Sequence, residues 1–187
     1  MQIELQSMAI EMPRVAKHPN RAAFHGVLTL VGVPSDKPPA GARGHRVLLR
    51  RAATEQALPS LLGMGLDYTP SLDRHDARRK VGIITEATLD DRGKPIAAAQ
   101  MGNAGAKQKG AVSLKVSGYL YAKDFPEVVE QVRAGGAGAL GMSYEIADAR
   151  VAEVNAPVWE ITDFSFTGAA LLRRDKAAYG QTWIRLD

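Results

Sequence analysis

Residues Ala139 to Leu172 constrain the fold most, because they place Ser143 on a segment with strand periodicity. Their sequence is ALGMSYEIADARVAEVNAPVWEITDFSFTGAALL. Its first apolar residues alternate, as in a strand with one face on a core: Leu140, Met142, Tyr144 and Ile146. Ser143 and Glu145 then lie on the opposite face. Gly141 shares that face, and its missing side chain is expected to leave room for a group that approaches the serine.

Two further apolar segments, Val158 to Ile161 and Phe164 to Leu172, predict one or two strands after the serine. The apolar face changes sides between them, which predicts a bulge or corner at Thr162 and Asp163. Asp163 is therefore an acid inside an otherwise apolar strand region.

Elsewhere the pattern predicts more strands than helices. Strands are expected at Phe24–Val33, His45–Arg50, Val81–Leu89 and Ala111–Ala122, and a short arm or strand is expected within residues 1–23. Residues 66–80, LDYTPSLDRHDARRK, are expected to form a polar loop that holds His75. Residues 90–110 are rich in Ala, Gly and Lys and predict a flexible insertion.

Two short helices are expected. Thr54 suits the N-cap of the first, which contains Pro59. Asp124 and Glu127 form a capping-box pattern at the start of the second, which we expect to end at Gly135. The glycine-rich AGGAGALG that follows is expected to be a hinge whose backbone amides lie near Ser143 as oxyanion donors.

Together these elements predict an α+β fold with a mainly antiparallel, barrel-like sheet and a few short helices. The 187 residues are 45% apolar and 24% charged, which suits a single domain over residues 1–187. Cysteine is absent, which excludes disulfides, thiolate zinc sites and a cysteine nucleophile. No apolar run approaches the ~18 residues of a membrane span, and the acid-bearing N-terminus lacks the basic start of a secretory signal, so we expect a soluble intracellular protein.

The charge and the histidines narrow the function classes further. The net charge is +4, but the basic clusters have no interleaved aromatic residues, so a nucleic-acid partner is not expected. The four histidines show neither HxH nor HxxxH spacing, so no catalytic metal or other cofactor is expected.

The order of these features resembles the phage prohead protease family, the capsid-maturation serine proteases related in fold to the herpesvirus assemblins. A histidine–aspartate loop precedes a strand, then come a helix, a glycine-rich entry to a strand serine, and an acid in a later strand. The segments that resemble the family are RHDARRKVGII (Arg74–Ile84), VSGYLYAKDFPEVVEQVR (Val116–Arg133), LGMSYE (Leu140–Glu145), ITDFSFTGAALLRRDKAAY (Ile161–Tyr179) and the opening FHGVLTLVGVPSDKPP.

The resemblance implies a serine endopeptidase that acts inside the immature phage shell, in the host cytoplasm. Its substrates would be the internal scaffold protein, the major capsid protein and the protease itself; self-association is left open. Ser143 would be the nucleophile and His75 its general base, since an imidazole that titrates near neutral pH can take and return the serine proton. Asp163 occupies the place of the third catalytic residue.

Alternatives remain at this stage. Ser143 can be an ordinary polar-face serine, His75 a solvated loop residue and Asp163 a polar stop at a bulge. A non-catalytic virion or scaffold-associated protein on the same fold is the main functional alternative. A serine esterase is also open, although no GxSxG motif surrounds Ser143.

Overall fold

The computed structural model describes residues 7–13, 15, 17–90 and 111–187. These residues form nine strands and two helices: β1 Ser7–Ala9, β2 Ala22–Val31, β3 Arg46–Leu49, α1 Arg51–Leu61, β4 Gly65–Tyr68, β5 Lys80–Asp90, β6 Val112–Leu120, α2 Pro126–Ala139, β7 Leu140–Val151, β8 Val158–Arg173 and β9 Trp183–Leu186. The insertion predicted at residues 90–110 lies outside the described residues, apart from Asp90 at the end of β5.

All nine described strands belong to one sheet, in the order β3-β8-β4-β5-β6-β2-β9, with β1 paired to β5 and β7 paired to β8. Six of the eight pairings are antiparallel, and the two parallel ones join β3 and β4 to β8. The sheet curls into a half barrel, in which β7 also packs against β2 and β9. The predicted α+β class with a mainly antiparallel, curled sheet is confirmed at this level.

β8 is the strand on which the half barrel depends. It runs for 16 residues, with β7 along one edge and first β3 and then β4 along the other. The β7–β8 register skips Thr162, because Arg150 pairs with Asp163 and Val151 pairs with Ile161. The bulge predicted at Thr162 and Asp163 is therefore confirmed, and the two predicted segments form one continuous strand.

The core lies inside the curl. Its completely buried members come from six strands and the first helix, and they include Phe24, Leu28, Leu49, Leu58, Leu66, Ile84, Leu114 and Leu171. Leu140 and Met142 also face this core, as the alternation of β7 predicted. Ser143 and Glu145 are only half-buried, on the other face of the same strand.

Both helix starts differ from the prediction. α1 begins at Arg51, three positions before Thr54, and the Thr54 hydroxyl donates instead to the carbonyl of Arg50 over 2.9 Å. α2 has no side-chain cap, because Asp124 accepts a hydrogen bond from Asn20 (2.7 Å). Neither described helix is long and apolar enough to span a bilayer.

α2 also continues past Gly135 to Ala139, directly before β7. The glycine-rich segment is therefore helical, and the hinge predicted there is wrong. Backbone amides inside a helix donate to carbonyls one turn earlier, so they are not available as the expected oxyanion donors. The physical reason is that glycine weakens a helix by only about 1 kcal/mol, which tertiary packing can outweigh.

Two tyrosines with buried hydroxyls differ in how those hydroxyls are paired. The Tyr179 hydroxyl lies 3.1 Å from each of the carbonyl oxygens of Val33 and Val47, to which it can donate. The Tyr144 hydroxyl is buried and makes no hydrogen bond to any described residue. Burial raises the pKa of both phenols, so both are neutral at physiological pH.

We expect Tyr179→Phe to destabilise the protein by about 1–3 kcal/mol, since the buried carbonyl of Val33 loses its hydroxyl donor, whereas that of Val47 keeps the backbone amide of Ser35. Tyr144→Phe should cost clearly less, because it removes no bond to a described residue. Denaturant unfolding of both variants at pH 7 measures the difference. Equal losses would contradict this assignment of partners.

Gly118 of β6 has no room for a side chain, since a Cβ there would overlap the carbonyl oxygen of Ile83. Gly118→Ala should therefore cost about 1–3 kcal/mol or more in unfolding free energy, because the backbone of β5 would have to move. The control is Gly135→Ala within α2, where a Cβ would make an ordinary contact with Ala139 at 3.4 Å. It should stabilise the protein by up to about 1 kcal/mol, measured in the same denaturant titrations.

Candidate active site

The serine strand and a buried acid lie in one row across the sheet. Ser143 of β7 and Asp67 of β4 both pair with Ala170 of β8, from its two opposite edges. Because paired residues point to the same side of a sheet, both side chains lie on its outer face. Two strand spacings separate their Cα atoms, or about 10 Å.

Glu145 extends this row along β7. It follows Ser143 by two residues, so it lies on the same face with its Cα about 7 Å away. Its partner on β8 is Gly168, and a Cβ on that glycine would lie 2.7 Å from Glu145 Oε2. The carboxylate of Glu145 therefore lies over Gly168 and toward β4.

His75 reaches this face from the loop between β4 and β5. Its Nδ1 lies 3.1 Å from Glu145 Oε1 and 3.6 Å from Asp67 Oδ2. Nδ1 is buried and makes no aligned hydrogen bond among the described residues, so neither contact is a hydrogen bond. Because Nδ1 faces the two carboxylates, Nε2 lies on the side of the ring away from them.

Asp67 fixes the loop that holds His75. Its Oδ1 accepts a hydrogen bond from the backbone amide of Asp76 over 3.1 Å, one residue after the histidine. Its side chain is completely buried, and Lys80 Nζ lies 3.5 Å from its Oδ2. A buried carboxylate without such partners would be strongly unfavourable, so this acid, its lysine and the loop are energetically linked.

Lys80 completes the cluster. Besides its contact with Asp67, its Nζ lies 3.9 Å from Glu145 Oε2. At neutral pH the site therefore combines two carboxylates, one ammonium group and one imidazole. All four groups are at least partly shielded from water, since the exposed fractions of the side chains range from 0% for Asp67 to 34% for Lys80.

The structure brings two of the three predicted catalytic residues to the same face. His75 contacts Glu145, and Ser143 lies two residues before Glu145 on the same face. Asp163 does not, since it lies five residues before Gly168 on β8, or about 16 Å along the strand. Its carboxylate is 60% exposed and lies 3.6 Å from Arg150, so its assignment as the third residue is corrected here.

The expected role of Gly141 is also different. A Cβ at this position would lie 2.7 Å from Thr182 Oγ1 and 3.4 Å from the Cβ of Ala177. The glycine is required because the turn before β9 packs on it. It therefore serves packing at this end of β7 and does not open space beside Ser143.

Sequence analysis missed Asp67 and Lys80 and gave Glu145 no catalytic role. Asp67 was missed because residues 66–80 were expected to be a polar loop, whereas β4 occupies Gly65–Tyr68. The alternation of Leu66 and Tyr68 around Asp67 is the signal that predicts this strand. No local pattern marks Lys80, because its importance depends on strands that pair far apart in the sequence.

Comparisons with known proteins leave this site without a precedent. No family model, no curated protein and no solved structure matches the chain.

The same groups offer atoms that a metal ion can use. Ligand atoms of Asp67, His75 and Glu145 lie within 4.8 Å of one another. However, the ammonium of Lys80 contacts both carboxylates, and its positive charge opposes a second cation at that place. The arrangement fits proton transfer better, because a histidine held between carboxylates is oriented and is stabilised when it becomes protonated.

Asp67→Asn should destabilise the protein by about 1–3 kcal/mol, because it removes the buried negative charge that pairs with Lys80 and His75. The matched control is Asp163→Asn, which changes an exposed pair and should leave stability unchanged within error. Thermal and denaturant unfolding at pH 7 test both variants. A larger loss for the Asp163 variant would show that the buried cluster has been assigned to the wrong aspartate.

Proposed function

We propose that the chain is a serine endopeptidase of the capsid-maturation type, with Ser143 as nucleophile and His75 as general base. The observation that supports this most is the position of His75, on the same sheet face as Ser143 with Nδ1 between two carboxylates. Glu145 lies two residues after Ser143 on the same face, and its carboxylate contacts the imidazole at 3.1 Å.

In this proposal, His75 accepts the Ser143 proton through Nε2 as the hydroxyl oxygen attacks the scissile carbonyl. It then donates the proton to the leaving amine. The imidazolium that forms is stabilised by Glu145 at 3.1 Å and Asp67 at 3.6 Å from Nδ1. These two carboxylates take the role first given to Asp163.

The biological role is inferred from the sequence motifs, whereas the chemistry is inferred from the geometry of the site. The curled, mainly antiparallel sheet with two helices is compatible with an assemblin-like fold, and the segments around His75 and Ser143 resemble prohead proteases. We propose that the substrates are the internal scaffold protein, the major capsid protein and the chain itself, cleaved inside the prohead. The alternative of a non-catalytic virion protein keeps the fold but has no need for the buried charge cluster.

Ser143→Ala and His75→Gln should each abolish cleavage, with losses of about 10⁴-fold or more, and the double variant should lose no more than either single one. The assay is co-expression with the scaffold and capsid proteins, followed by mass spectrometry of the fragments. Ser165→Ala and His25→Gln are the controls, since Ser165 is exposed on β8 and His25 pairs with Asp187 away from the site. Both controls should cleave normally.

A second measurement needs no substrate. A fluorophosphonate, which reacts with activated serines, should add its mass to Ser143 in the wild type and leave the His75→Gln protein unmodified. Normal processing by the Ser143→Ala protein would refute the protease assignment. The absence of both processing and labelling in the wild type would favour the non-catalytic alternative.

A further inference from the structure

Lys80 crosses two strands to reach the candidate active site. Lys80 is the first residue of β5, yet its Nζ lies near acids of β4 and β7. A Cβ on Gly65 would lie 2.6 Å from Lys80 Cδ, and a Cβ on Gly168 would lie 3.3 Å from Nζ. A side chain at either glycine would therefore displace the lysine from this path.

Three strands contribute charged side chains to the surroundings of His75, and its own loop, residues 69–79, carries five more. β4 contributes Asp67, β7 contributes Glu145 and β5 contributes Lys80. The nearby part of β8 contributes only Gly168 and Ala170, which carry no charge. In the loop of His75 itself, Arg74 is exposed and the carboxylate of Asp76 accepts the amide of Arg78 over 3.1 Å.

Two carboxylates beside one imidazole create a problem for a general base. Each negative charge favours the protonated ring, and a protonated ring cannot accept a proton from serine. With a neutral imidazole, the formal charge of Asp67, Glu145 and Lys80 together is −1, whereas without the lysine it would be −2. The ammonium of Lys80 contacts both carboxylates and so offsets one of them.

We propose that Lys80 is a positioning residue that keeps His75 neutral, and therefore able to accept the Ser143 proton, at the pH where the enzyme works. This inference rests on the proposed protease function. It assigns the lysine a role that acts through the two acids, without contact with the substrate. Gly65 and Gly168 belong to the same arrangement, because they leave the space that the side chain of Lys80 occupies.

The first test measures the protonation of His75 directly and needs no activity. In the Ser143→Ala background, the pH titration of the His75 ring is followed by NMR with labelled histidine, and the signal is assigned by its loss in His75→Gln. Lys80→Met should move the midpoint upward by roughly one pH unit, and Glu145→Gln should move it downward. Lys80→Met combined with Glu145→Gln should bring the midpoint back close to its starting value, because the pair of changes restores the formal charge of −1.

The second test uses the active enzyme. The acidic limb of the pH profile of kcat/KM should move upward by roughly one pH unit in Lys80→Met, while the rate at higher pH is largely retained. Lys80→Arg keeps the charge and should keep the profile. Lys80→Gln is a second uncharged variant in case the methionine variant unfolds, and thermal unfolding shows which variants are folded.

The outcomes separate the two proposals. An unmoved midpoint in a folded Lys80→Met protein, or a lower rate at every pH with an unmoved limb, overturns the role of Lys80 and leaves the protease assignment intact. The expected NMR shifts in a wild type that cleaves nothing at any pH overturn the protease assignment, and with it the catalytic purpose of the lysine.

Discussion

The buried carboxylate of Asp67 is the interaction on which the candidate site depends. One oxygen holds the backbone of Asp76, and the other lies beside His75 and Lys80. Taking a carboxylate out of water costs several kcal/mol, so the acid is tolerated only with these partners in place. The position of His75 follows from this requirement, because the loop is anchored one residue after the histidine.

The second requirement is a strand with small residues between the two halves of the site. β8 separates Asp67 on β4 from Ser143 and Glu145 on β7. Where it does so, it carries Gly168 and Ala170, and the charged side chains of its neighbours extend over it. A larger residue at Gly168 would lie where the carboxylate of Glu145 and the ammonium of Lys80 now meet. The site therefore lies on the outer sheet face, over the small side chains of β8.

Much of the fold and part of the candidate site were predictable from local sequence patterns, and the rest was not. The alternation from Leu140 correctly placed Ser143 and Glu145 on the outer face, and the change of sides near Asp163 correctly predicted a bulge. Asp67 could not be found in this way, because an acid that lies near Ser143 in space need not follow it in the chain. Asp67 precedes the serine by more than seventy residues, and only the parallel pairing of β4 with β8 brings them into one row. The predicted helix starts were wrong for a similar reason. Asp124 was available as a cap, but it accepts a hydrogen bond from Asn20, a partner 104 residues away.

The insertion of β8 between β7 and β4 determines when the charge cluster can assemble. Residues 67, 75 and 80 are synthesised early, but they meet Glu145 only after the strand that ends at Arg173 has emerged from the ribosome and paired on both edges. Such long-range pairing is among the slower events of folding. A nascent or truncated chain that lacks β8 has no assembled charge cluster. The order of synthesis thus delays assembly of the charge cluster until β8 is present.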